Sequence, residues 1–120
     1  MSLWLGRSES AAAFWKALEV EFSEDGDFLG SDFSRAFGIE YYEEGLREAA
    51  IFESLESTLA QLVAGASYEE IVLPRLQNLG VSVEAGTNCL VLLYNYRHSA
   101  PTAAQLGGVS LVFKGAVPYV

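Results

Sequence analysis

The chain is short of the residues on which most catalytic and metal sites depend, with one cysteine, one histidine and seven lysines and arginines in 120 positions. A single cysteine excludes an internal disulfide, so nothing here requires an oxidising compartment. Cys89 and His98, nine positions apart, cannot assemble the several soft ligands of a transition-metal site. Nucleophilic catalysis needs a base beside the nucleophile. Cys89 falls inside an apolar run and is expected to be a buried structural thiol, while His98, beside Ser99 and Pro101, reads as a solvated loop residue. No catalytic residue and no metal site is assigned on this basis. Gly107-Gly108 lacks the further glycine or lysine of a phosphate-binding loop, and no cofactor is expected. The few scattered basic residues argue against nucleic acid. No run of eighteen apolar residues occurs, and residues 1–20 lack a basic start followed by an apolar run. Neither a membrane span nor export is therefore indicated, and a cytoplasmic protein is expected.

Carboxylates are abundant and unevenly placed. Residues 1–70 hold fifteen acidic and four basic side chains, for −11, whereas residues 71–120 hold one acidic and three basic, for +2. Such asymmetry focuses a negative potential that draws in basic partners and speeds their encounter. An apolar content of 51%, with two Trp, seven Phe and six Tyr, separates the chain from a disordered acidic tail. The length suits one domain over residues 1–120.

Apolar Leu3-Trp4-Leu5, stopped by Gly6, reads as a strand, followed by a helix over residues 11–18 that Ser8 or Ser10 can cap. Phe14, Trp15, Leu18 and Phe22 recur at helical spacing as a buried stripe, and Glu24 to Asp27 read as a turn. Ser31 can cap a short helix to Phe37 that Gly38 closes. Residues 49–52 read as a short strand with a helix as the near alternative, since a four-residue apolar run has no decisive period. Leu55, Leu59, Leu62 and Val63 repeat helically up to Gly65. Ser67 and Glu70 have capping-box spacing, and Pro74 predicts a kink or a break before Gly80. Cys89 to Tyr96 is an apolar run broken only by Asn95 and suited to a strand covered on both faces. Residues 98–108 read as a loop, and Val109, Leu111 and Phe113 alternate as a strand expected to pair antiparallel with the preceding one. The whole predicts an α+β fold: a small mixed, largely antiparallel sheet with helices packed mainly on one face.

Between Phe28 and Glu48, aromatic and acidic residues interleave. Phe33, Phe37 and Tyr42 suit a core with solvating carboxylates around it; alternatively, the segment is a surface on which tyrosines anchor and carboxylates pair with a partner's lysines or arginines. Glu24-Asp25-Gly26-Asp27 lacks the ligand spacing of a calcium loop. Glu43 and Glu44 are adjacent and point apart on either helix or strand, so they are poorly placed for two-carboxylate catalysis. The competing classes are a small-ligand protein or hydrolase with a carboxylate site between sheet and helices, using Glu43, Glu48 or His98, and a constitutive subunit with a large apolar patch.

Three segments resemble the immunity protein 22 family of bacterial polymorphic toxin systems. They are Leu3-Trp4-Leu5-Gly6; Phe33 to Glu48, with Phe37-Gly38-Ile39 and Tyr41-Tyr42-Glu43-Glu44; and Asn88 to Tyr96. The resemblance implies a non-enzymatic protein that neutralises a cognate toxin domain. With the charge reading, it implies that Glu40, Tyr41, Glu43, Glu44 and Glu48 contact a basic toxin surface, and that Asp25, Asp27 and Asp32 contribute mainly field. Where the family pattern often carries aspartates after the paired aromatics, this chain has Glu43 and Glu44, which keep the charge and alter its reach.

Overall fold

Consecutive apolar residues at Leu3-Trp4-Leu5 make a strand that is apolar on both faces, and such a strand is stable only when covered on both. The computed structural model, which describes residues 1–55 and 58–120, places it at the centre of a five-stranded antiparallel sheet. The strands are β1 (Ser2–Ser8), β4 (Arg47–Ile51), β5 (Cys89–Leu93), β6 (Ala103–Leu106) and β7 (Val109–Ala116), in the order β4-β5-β1-β7-β6. Short strands β2 (Glu21–Phe22) and β3 (Phe28–Gly30) form a separate antiparallel pair. Among the described residues, four α-helices complete the α+β fold: α1 (Ala11–Leu18), α2 (Asp32–Ala36), α3 (Leu59–Val63) and α4 (Glu69–Asn78).

The strand alternation sorts two cores. Trp4, Val91, Leu93 and Leu111 pack with Phe14 and Leu18 of α1 and Phe33 of α2. Leu3, Leu5, Leu90 and Leu92 face the other way, against Leu62 of α3 and Val72 and Leu76 of α4. The helices thus divide two to a face rather than gathering mainly on one, because β1 and β5 present hydrocarbon on both sides. Residues 47–51 resolve as strand, with Ala49 and Ile51 in one core and Ala50 in the other.

Several local expectations hold. Ser10 caps α1 by accepting from the Ala13 amide at 3.0 Å. Ser31 and Ser34 exchange side-chain bonds with each other's amides at 3.0 and 2.8 Å to start α2, and Gly38 follows it at φ +65°, a conformation open to glycine.

Others differ for identifiable reasons. Strand β7 pairs with β1, not β5, because β1 lies between them. The expected loop 98–108 contains edge strand β6, paired with β7. Helix α1 stops at Leu18, so Phe22 leaves the helical stripe for β2; it is 53% exposed, as is Trp15 at 44%. Pro74 sits inside one uninterrupted helix, since the hydrogen bond it cannot make falls on the exposed first turn. Ser67 does not cap α4. Tyr68 takes that place in a left-handed conformation, φ +61°, and the Ser67 amide and hydroxyl turn to the Glu48 carboxylate instead.

Candidate partner-binding surface

The turn after α2 is fixed by the Ile39 amide donating to the Ser34 carbonyl at 2.8 Å. From there the chain alternates: Ile39 and Tyr42 enter the core, while Glu40, Tyr41, Glu43 and Glu44 face solvent. Tyr42 packs against Phe28 and Phe33, with ring centroids 5.4 and 6.3 Å away. Tyr41, 55% exposed, lays its ring edge against Phe28 at 5.2 Å and donates its hydroxyl to Glu43 Oε1 at 2.7 Å. That bond to a carboxylate raises the Tyr41 pKa, because the phenol proton is held and a phenolate would face a like charge. A short 3-10 turn, Glu44–Leu46, then delivers the chain into β4.

The aromatic strip continues beyond this loop. Phe28 also meets Phe22, at 6.3 Å, and Phe22 lines an open hollow with Trp15, Lys16, Glu19, Glu44 and Arg47. Trp15 and Phe22 belong to this surface although helical spacing assigns them to the core; the turn signal at residues 24–27 marked the end of α1 too late to reveal it. Arg47 donates Nη1 to the Leu18 carbonyl at 2.8 Å, tying β4 to the end of α1.

The remaining acidic candidates differ in their engagements. Asp25 and Asp27 lie exposed at the β2–β3 turn and form no ion pair among the described residues. Asp32 and Glu21 both pair with Arg35 Nη2 at 3.1 Å, which offsets part of their charge. Glu40 and Glu44 also form no ion pair among the described residues. Glu48, on β4, accepts from the Ser67 amide at 2.9 Å and from its hydroxyl, and lies 3.5 Å from the Tyr94 hydroxyl, so it ties β4 to the start of α4. Burial and the nearby Glu48 charge raise the Tyr94 pKa.

The lone cysteine and the lone histidine are both interior. Cys89 has no exposed surface, and burial pushes its thiol up to about 12. His98 is not a solvated loop residue but 4% exposed: its amide donates to Ser2 Oγ at 2.9 Å, its Nε2 lies 2.7 Å from the Pro101 carbonyl, and its ring packs on Trp4 and Phe113. The sequence around it has loop composition, but this loop closes over the edge of the core. Among the described residues, no group of three or more His, Cys, Asp or Glu side chains is placed to hold a metal ion, and no helix is long and apolar enough to cross a membrane.

The arrangement offers outward carboxylates and half-exposed aromatic rings, with Cys89 and His98 sealed inside. Neither a curated protein nor a solved structure matches the chain. A family model does, that of Immunity protein 22, over residues 1–119. The match takes in the whole sheet, both helical layers and the acidic loop, and the chain therefore belongs to the Immunity protein 22 family.

Proposed function

We propose that this protein is a non-enzymatic, cytoplasmic immunity protein that binds and neutralises a cognate bacterial toxin domain. Its contact surface is acidic and aromatic, and the toxin surface that meets it is basic. Family membership supports the immunity role, and one structural observation carries the mode of binding: Glu40, Glu43 and Glu44 stand outward beside Tyr41 with no lysine or arginine of their own chain paired to them among the described residues. Unpaired carboxylates around a rigid aromatic ring steer a cationic partner at long range and grip it at short range. Glu48 stands at the β4 margin of the contact set, and Asp25, Asp27 and Asp32 add to the field, Asp32 less because of Arg35. The competing assignment, a hydrolase or small-ligand protein using Glu43, Glu48 or His98, has less support, since these groups share no hydrogen bond among the described residues.

Co-expression tests the role. Cells producing the toxin domain encoded beside this gene are expected to grow only when this protein is present. Growth arrest that persists with every neighbouring toxin candidate would remove the immunity assignment.

A further inference from the structure

Between the 40–46 segment and the end of β5 lies a hollow of about 210 Å³. Tyr41, Tyr42, Tyr94 and Tyr96 line it with Glu43, Leu46 and Asn95, and no basic residue does among the described residues. The Tyr42 and Tyr94 rings are packed into the two cores, so Tyr41, 55% exposed, offers the open ring. It is smaller than the roughly 300–1,000 Å³ of small-molecule sites, so it suits a single inserted side chain better than a metabolite. Its chemistry selects a cation, because the face of the exposed Tyr41 ring carries negative potential and Glu43 adds a full charge. The lining is also held in place before anything binds. Tyr41 rests on Phe28 and holds Glu43 through Oε1, leaving Oε2 with no bond among the described residues. Tyr42 is 5% exposed, and its hydroxyl has no partner among the described residues.

We infer that this hollow receives one arginine side chain from the toxin, its guanidinium stacked on the exposed Tyr41 ring and donating to the free Glu43 oxygen. Arginine is favoured over lysine because its planar fork stacks on rings while keeping donors for a carboxylate, and because it sheds water more readily. The inference rests on the immunity reading for the partner's identity. The recognition chemistry stands on the hollow itself and can be tested without a toxin.

The first measurement titrates the isotope-labelled full chain with N-acetyl-arginine amide, following backbone amide shifts by NMR. Saturable shifts are expected at residues 41–46 and 94–96, with little response to the neutral isostere N-acetyl-citrulline amide and a binding constant several-fold weaker for N-acetyl-lysine amide. Glu43→Gln, an isosteric change at an exposed position, is expected to abolish them. Absent shifts, an equal response to citrulline, or lysine binding as tight as arginine would each overturn the assignment.

The second measurement uses the toxin domain. Tyr41→Ala and Glu43→Gln are each expected to raise Kd on the order of tenfold, and mutating a single toxin arginine should make the Glu43→Gln change nearly silent. If the arginine probe binds but neither variant alters toxin affinity, the hollow lies outside the interface and the inference fails while rescue still stands. If the unaltered chain rescues no neighbouring toxin, the immunity reading fails, and the partner named here goes with it.

Discussion

Cys89 points to the same side of β5 as Val91 and Leu93, wholly buried, so ionising it would set a charge among hydrocarbon. Its thiol is pushed from 9.0 up to about 12. Between these values an unfolded chain has released the proton that the folded chain keeps, so the unfolded state binds fewer protons and stability falls as pH rises. One such group contributes a slope approaching about 1.4 kcal/mol per pH unit. Urea unfolding at pH 8, 9 and 10 is therefore expected to show a steeper loss for the native chain than for Cys89→Ala. The raised tyrosines Tyr94 and Tyr96 are present in both proteins and cancel in the comparison. Parallel slopes would mean that the thiol ionises as freely in the fold as in the open chain. Burial of Cys89 was legible in the sequence because its neighbours form a continuous apolar strand, whereas burial of His98 was not. His98 is covered by partners distant in sequence, Ser2, Trp4 and Phe113, and no local pattern announces them.

Among the elements, the helix starts were legible in the sequence where a serine stands before an apolar turn, as at Ser10 and Ser31, since a cap is satisfied within four residues. Strand pairing was less legible. Local alternation marks β7 but says nothing of its neighbour, and a hairpin with β5 is the simplest assignment until β1 is seen to occupy the space between them. Gly6 is where that central position is most exacting. A Cβ added there would lie 1.9 Å from the Ser110 carbonyl oxygen and 2.9 Å from Leu111, and both belong to β7. Backbone cannot yield as a flexible side chain can, so Gly6→Ala must push β1 and β7 apart along the longest contact in the sheet. A loss of about 3 kcal/mol or more is expected in denaturant unfolding, with backbone amides at residues 6–8 and 109–111 losing hydrogen-exchange protection first. A variant of native stability would show that the strands have slack at this crossing.

At the scale of the molecule, several of the carboxylates behind the charge imbalance stand beside a run of ring contacts. The ring contacts from Phe22 through Phe28 to Tyr41 join the β2–β3 pair to the acidic loop, and Glu19 and Glu44 border the hollow that Phe22 and Trp15 line. The sequence showed the excess charge but not this continuity, because Phe22 joins the patch only through the early end of α1 and Trp15 through the outward face of that helix. If position matters beyond net charge, reversing charges here must differ from reversing them elsewhere. Glu43→Lys with Glu44→Lys is expected to slow association with the toxin on the order of tenfold at low ionic strength, and to less than about threefold at ~0.5 M salt, where the field is screened within a few ångströms. Glu9→Lys with Glu70→Lys changes the net charge equally, at exposed positions outside the loop that are free of ion pairs among the described residues. Its effect on the association rate should be clearly smaller at every salt concentration. Stopped-flow measurement of both variants across a salt series decides the matter: equal slowing would make the interaction one of overall charge, and a salt-independent effect at Glu43 and Glu44 would make it one of packing. Slowing that salt relieves, and that the loop pair suffers far more, is what a placed field requires.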